Sequence, residues 1–437
     1  MTAPRRRPPE SRGVPAIDPA IVEAARGRYD AARAANLSLD MTRGKPSPEQ
    51  LARSHGLLRA VDREDDRAGD GTDCRNYGGD PRGLPEMRAI FGEILEVDPD
   101  LVFVGGNASL QWMHDLVVQA MLVGVPGGDP WGGPKRSTPV KFLCPCPGYD
   151  RHFSVLERYG IEMLPIGMGD DGPDMDEVAR LAGEDRNVKG MFCVPRYSNP
   201  TGVTYSDDVV EAIAGMPTAA PDFRVIWDDA YALHAFEGEP DRLANLYDRC
   251  VAHGHEDRPF IVTSFSKVTF GGAGLAAVAA SPGNGDWIRS FRSIQTIGPN
   301  KLNQLAHARF FDGSLASVRE HMRGHAELIR PKFETVLRVL DESLEGLGSL
   351  EELGVATWSR PRGGYFVSLD TEPGCARAVV EMAGRAGVKL TPAGATFPYG
   401  IDPQDRNIRI APTLPGLSEI ETATRLLADC VVLVGGQ

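Results

Sequence analysis

The sequence predicts an α/β protein, with a mostly parallel sheet sandwiched between helices and a smaller α+β unit built from both ends of the chain. Three observations lead there. Short apolar runs recur and break at glycine, proline or a polar residue. Segments of helical period separate most of them, which is the pattern of strands buried on both faces. Past about residue 345 that rhythm gives way to strands mixed with helices in no fixed alternation. The expected organisation is a flexible tail at 1–15, an N-terminal part of the smaller domain at 16–53, a large domain at 54–322 and a C-terminal part of the smaller domain at 323–437.

In order along the chain, residues 17–35 place apolar groups at helical spacing and are expected to form the first helix. LVFVGG (101–106) reads as a buried strand broken by glycine, and ASLQWMHDLVVQAM (108–121) continues as a helix. VKFLC (140–144) is the next strand, followed by a helix in YDRHFSVLERYG (149–160). IEMLPIG, VKGMFCV, FRVIWDD, PFIVTSF and GLAAVAA extend the series. A long helical stretch is expected from about 286 to 345. After it, GGYFVSLD, VKLT and NIRIAP read as strands, with helices at 375–386 and 417–431.

Composition narrows the function. With 437 residues, 42% of them hydrophobic, the chain is long enough for one large two-domain unit or two to three ordinary domains. The formal charge is −13 with acids spread throughout, which disfavours nucleic acid as a partner. No apolar run reaches the roughly 18 residues of a membrane span. The basic, proline-rich start MTAPRRRPPESRGVP lacks the apolar centre of a secretion signal. Seven cysteines read as reduced thiols of a cytoplasmic protein. Cys144 and Cys146 are spaced too tightly for zinc, and no metal is expected.

The chemistry-bearing residues follow the strands, where ligands of parallel sheets lie. Gly105-Gly106-Asn107-Ala108-Ser109 is a glycine turn entering a helix, and the free N–H groups of such a helix start attract a phosphate dianion. Tyr149 offers a flat ring, Asn199 an amide, Asp228 or Asp229 a carboxylate and Tyr231 a phenol. Lys267, in SFSKVTFGGAG (264–274), offers an amine. Pyridoxal 5′-phosphate needs that set together. A carboxylate keeps its ring nitrogen protonated, a phenol and an amide bond its phenoxide, and a lysine forms an imine with its aldehyde. Lys267 is therefore read as desolvated for use rather than as a solvated loop lysine.

SNPTG (198–202), DDAY (228–231) and SFSK (264–267), in that order, resemble the fold-type I pyridoxal-phosphate aminotransferases. LDMTRGKP, CPGYDRHF and TIGPNKLNQLAHARFF look like the bacterial class Ic aspartate aminotransferase subgroup. The likeness spans nearly the whole chain and makes 54–322 the cofactor-binding domain. It implies that Lys267 is the imine lysine and proton shuttle and that Asp228 pairs with the pyridine nitrogen. Asn199 and Tyr231 would bond the phenoxide, Tyr149 would stack on the ring, and Asn107, Ala108, Ser109 and Ser264 would hold the phosphate. Tyr77 would reach the phosphate of a neighbouring subunit, implying a homodimer with shared sites. Gly44 would line the substrate, and Arg409, with Asn199, would grip its α-carboxylate. The implied reaction is L-aspartate with 2-oxoglutarate giving oxaloacetate and L-glutamate.

One departure stands out. Many relatives carry an arginine eight positions after the imine lysine to neutralise the phosphate; here the position is Leu275, and Arg292 and Lys301 are the candidates to replace it. Arg43, Lys45 and Arg196 are candidates for a second substrate carboxylate. Rival readings are an alanine–glyoxylate or aromatic aminotransferase, and a pyridoxal-phosphate C–S β-lyase. A regulator fused to a DNA-binding module fits poorly, because too few residues precede the first motif. Residues 272–277 match the dinucleotide fingerprint G-x-G-x-x-A but lead into a strand rather than a helix, which argues against a nicotinamide dehydrogenase.

Overall fold

The structure, a computed structural model, describes residues 17–61, 66–133, 138–344, 347 and 355–436. The tail expected at 1–15 lies outside them. In chain order the strands are β1 (Leu39–Asp40), β2 (Val102–Val104), β3 (Lys141–Cys146), β4 (Glu162–Gly167), β5 (Val188–Cys193) and β6 (Arg224–Asp228). They continue as β7 (Pro259–Ser264), β8 (Ala276–Ala279), β9 (Ala356–Trp358), β10 (Val367–Thr371), β11 (Val388–Lys389) and β12 (Asn407–Ile410).

Seven of them form one sheet in the order β2-β8-β7-β6-β5-β3-β4. The run from β4 to β7 is parallel throughout. Only β8 opposes its neighbours β7 and β2. The reversal follows from the glycine-rich turn Gly271–Gly274, which brings the chain back so that Phe265 N–H donates to Leu275 O at 2.7 Å. Lys267 therefore lies in the connection between β7 and β8, at the carboxyl edge of the sheet. β5, β6 and β7 are buried along their whole length, as strands covered on both faces must be. Met191, Val225 and Ile261 pack on one face, and Phe192, Ile226 and Val262 on the other.

A second core surrounds the antiparallel sheet β12-β10-β9 and the short parallel pair β1-β11. The helices Pro19–Ala34, Ala376–Arg385, Leu417–Gly435 and Leu315–Leu344 carry residues of this core. It also includes Tyr197, Tyr231 and Tyr365, so this second core meets the large sheet where the strand ends carry polar side chains. The helical stretch expected from 286 to 345 is not continuous. It is three helices, Pro282–Gln295, Lys301–Phe310 and Leu315–Leu344. Gly298-Pro299 and Asp312-Gly313 interrupt it, and the latter pair adopts positive φ. β1 and β9, too short to leave a periodic signal, went unforeseen. Among the described residues no helix is long and apolar enough to cross a membrane, and no group of three or more potential metal ligands occurs.

Candidate active site

Lys267 is the centre of the cluster. Its Nζ lies 5.1 Å from the Tyr231 ring centroid and 5.7 Å from that of Tyr365. Among the described residues it has no hydrogen-bond or ion-pair partner. Removal from water lowers its pKa below the usual lysine value; the Asp228 carboxylate pulls the other way, and the Arg409 guanidinium adds to the fall.

Asp228 closes β6. Its Oδ2 faces His152 Nε2 at 3.1 Å, while its Oδ1 is enclosed and has no partner among the described residues. His152 is set by the helix Asp150–Arg158 and stacks on Phe192 with centroids 4.3 Å apart. The neighbouring Asp229 has a different fate. Its carboxylate is 3.2 Å from Arg196, and burial raises its pKa. That pairing engages Arg196, one of the cations considered for a second substrate carboxylate. Lys45 lies 3.5 Å from Asp40, and Arg43 is exposed.

Tyr231 is buried, and burial holds its phenol well above the usual pKa. Tyr149, at the start of the helix Asp150–Arg158, has its phenol pushed up to about 12, again chiefly by burial. Neither hydroxyl has a hydrogen-bond partner among the described residues. Arg409 projects from β12 and is 4% exposed. Its Nη1 donates to Asp150 Oδ1 (2.9 Å) and Asn199 Oδ1 (3.3 Å), its Nη2 donates to Thr391 Oγ1 (3.2 Å), and its guanidinium lies 4.9 Å from the Phe366 ring centroid. The bond to Arg409 fixes the Asn199 amide so that its oxygen is used and its nitrogen is spare. Gly44 approaches this wall closely, since a Cβ there would lie 2.9 Å from Phe366 Cζ and 3.0 Å from Tyr365 Cδ1.

The glycine turn has the form expected of an anion cradle. Gly106 takes φ +71°, which glycine adopts without strain. The following helix, Ser109–Val123, begins at extended Ala108 with no side-chain cap, so its first-turn donors are free of side-chain partners. Ser264 Oγ donates to Ser266 Oγ (3.0 Å) and Ser266 Oγ to Asn107 O (3.1 Å), tying the end of β7 to the turn. Tyr77 stands apart, 79% exposed on a loop whose Gly78 carbonyl accepts from Lys301 Nζ.

Sequence reasoning did not assign His152, Asp150, Thr391 or Tyr365. His152 meets Asp228 across 76 positions, so no spacing advertises the pair. Tyr365 is held from behind by Gln50, whose Nε2 donates to its hydroxyl at 2.9 Å and to His325 Nδ1 at 3.1 Å. His234, between the rings of Tyr231 and Tyr365, has no hydrogen bond on either nitrogen among the described residues. Burial drives its pKa down to about 3.

These residues fit pyridoxal 5′-phosphate. An enclosed carboxylate oxygen without a donor suits a protonated ring nitrogen, an amine without a counterion suits an aldehyde, and an uncapped helix start behind a glycine turn suits a phosphate.

Comparison with known proteins agrees. The profile of the family described as "Aspartate amino-transferase" matches residues 15–437. The chain is 44% identical to the aspartate aminotransferase of Corynebacterium glutamicum over 94% of its own length and 92% of the relative's. A crystal structure of an aspartate transaminase from the same organism superposes with a TM-score of 0.90 at 44% identity, covering 95% of this chain and 96% of that one. The fold extends to the α-aminoadipate aminotransferase of Thermus thermophilus, solved with N-(5′-phosphopyridoxyl)-L-leucine, at TM-score 0.71 and 20% identity, covering 93% and 96%. A profile match over nearly the whole chain, joined to this site, identifies the protein as a fold-type I aminotransferase that belongs to the aspartate aminotransferase family.

Proposed function

We propose that the protein binds pyridoxal 5′-phosphate and transfers the amino group of L-aspartate to 2-oxoglutarate. One observation carries the reading. Asp228 Oδ1, Tyr231 Oη, Lys267 Nζ and the Asn199 amide nitrogen have no hydrogen-bond partner among the described residues, and Lys267 Nζ lies 5.1 Å from the buried Tyr231 ring. When bound, the cofactor supplies an electron sink for the charge that develops at the amino acid Cα.

The chain's own residues do the rest. Lys267 Nζ would attach the cofactor and, once displaced by the substrate amine, would take the proton from Cα and deliver it two bonds away, to the carbon on the far side of the shared nitrogen. Its lowered pKa keeps a neutral, basic fraction available for that task. Asp228, oriented by His152, holds a proton on the ring nitrogen. Tyr231 and Asn199 donate to the ring oxygen, Tyr149 covers one face, and Asn107, Ala108, Ser109 and Ser264 hold the phosphate. Arg409 orients the substrate α-carboxylate, with Gly44 leaving room beside it; a planar guanidinium suits that bidentate task. Aspartate as donor is the choice that the name of the 44%-identical relative favours.

The working unit is a homodimer in the cytoplasm. Ile294, Ile297, Leu302, Leu58 and Tyr77 are exposed apolar side chains. Ile297 also takes φ +63°, unfavourable for a β-branched residue unless its surroundings enforce it. A second copy seated there would cover the apolar groups and bring Tyr77 to the partner's phosphate. The seven free cysteines suit a reducing compartment.

The test is a visible spectrum of the purified protein before and after L-aspartate, followed by steady-state assays across amino donors. Loss of the imine absorption on adding aspartate supports the reading. Colourless protein that takes up no cofactor refutes it, and faster turnover of alanine or phenylalanine refutes the choice of donor.

A further inference from the structure

The position eight residues after Lys267 is Leu275, an apolar side chain only 1% exposed, so it brings no charge to the phosphate. Arg292, on the last turn of the helix Pro282–Gln295, lies against the Gly105–Gly106 turn. Its Nη2 sits so close to Gly105 that a Cβ there would be 2.5 Å away. Its guanidinium lies 4.6 Å from the ring centroid of Trp112, and the Trp112 indole N–H donates to Gly105 O at 2.9 Å. One indole thus joins the guanidinium, the glycine turn and the first turns of the helix Ser109–Val123.

The arginine is 5% exposed, yet among the described residues it has no ion-pair partner. Its Nη1 donates only to a neutral acceptor, Gln295 Oε1, at 3.3 Å. Asp115 is the carboxylate that acts on it electrostatically, but that group is already engaged by Gln295 Nε2 (2.9 Å) and faces His114 Nδ1 (3.2 Å). A nearly buried cation without a counterion is costly to keep. An anion beside it removes the cost and gains from the reduced screening. Lys301, the other candidate, spends its amine on Gly78 O in the Tyr77 loop.

We infer that Arg292 supplies, across the Gly105–Gly106 turn, the positive charge that offsets the cofactor phosphate in this chain. The inference rests on the cofactor reading above and adds the residue that completes its phosphate subsite.

The experiment uses the full-length apoprotein and measures dissociation constants for two probes, pyridoxal 5′-phosphate and pyridoxal. In Arg292→Gln the phosphorylated probe is expected to weaken at least about tenfold, the scale of a contact to a charged group, while pyridoxal is nearly unchanged. Arg292→Lys is expected to recover most of the loss. Stabilisation of the apoprotein by inorganic phosphate, read as a shift in melting temperature, is expected to shrink in parallel. Gly105→Ala, which keeps the cation but pushes its guanidinium off the turn, is expected to show the same selective weakening. Equal weakening of both probes, or parental selectivity in both Arg292→Gln and Gly105→Ala, overturns the inference while leaving the cofactor reading in place. A parent protein that takes up neither probe overturns that reading and this inference with it.

Discussion

Lys267 shows how a single side chain here is tuned against stability. An amine kept from water disfavours its charged form, and burial is the largest cause of the lowered pKa. Below the unfolded-chain value of 10.5 the unfolded state therefore binds more protons than the folded state. Lys267 costs stability across neutral pH, and the cost disappears as pH rises through that value. Lys267→Met in the apoprotein is accordingly expected to raise the melting temperature by a few degrees at pH 7, with the gain shrinking towards pH 10, while transamination is lost. Calorimetry at the two pH values checks this, and an equal or lower melting temperature at pH 7 contradicts it. Asp228→Asn keeps the shape but not the charge opposite the ring nitrogen. Turnover is expected to fall at least about a hundredfold with the fold intact, the lower end of what a positioned acid or base contributes. His152→Asn, which removes the group facing Asp228 Oδ2 at 3.1 Å, should cost less, because the carboxylate itself remains.

At the scale of elements, the β7–β8 connection and the Gly44 segment do the positioning. Gly44 lies against Tyr365 and Phe366, and Phe366 in turn sits under the Arg409 guanidinium. A methyl group at 44 must displace one of those rings. Gly44→Ala is expected to raise KM for the amino acid several-fold and to destabilise by about 1–3 kcal/mol, as overpacking does. A substrate titration together with urea unfolding would show it, and parental values for both would count against the contact.

The same scale explains what was legible beforehand. Strands β2 to β8 were readable because each is a short apolar run ending at glycine, proline or a polar residue. The site residues that end them came with the strands, as Asp228 does at the end of β6. Arg409 was placed only by resemblance, since nothing in NIRIAP marks one arginine of a strand for a site. His152, Tyr365 and Gln50 were not legible. Their partners are brought by tertiary packing across 76 positions for His152 and 315 for the Gln50–Tyr365 pair. The split of the 286–345 stretch was legible in principle at Gly298-Pro299, but apolar periodicity on both sides of it masked the break.

At the scale of the whole molecule, the large sheet and the second core share a set of buried neutral histidines, and these tie the fold to pH. His234 touches Tyr231 and Tyr365, His325 faces Gln50, and His307 packs against Phe265. Burial is the leading cause in each, lowering the first two to about 3 and the third to about 4 from an ordinary 6.5. His321, bonded to Val268 O and facing His325, is displaced the same way. Here the group is basic and its folded pKa is depressed, so above pH 6.5 neither state is protonated and nothing is lost. As pH falls below 6.5 the unfolded chain takes up protons that the folded chain refuses. Stability then drops until the folded values near 3 to 4 are reached. Three such groups imply a slope of about 4 kcal/mol per pH unit near pH 5, large against a total stability of about 5–15 kcal/mol. The apoprotein is therefore expected to lose stability as pH falls from 6.5 towards 4. His234→Phe isolates one contribution, because among the described residues neither ring nitrogen of His234 has a hydrogen-bond partner, and its ring contacts can be kept. Urea midpoints from pH 8 to pH 5 are expected to fall less steeply in that variant, by about one proton or 1.4 kcal/mol per pH unit, with little change at pH 8. An unchanged slope would mean that His234 is charged in the folded protein and that the acid sensitivity has another origin.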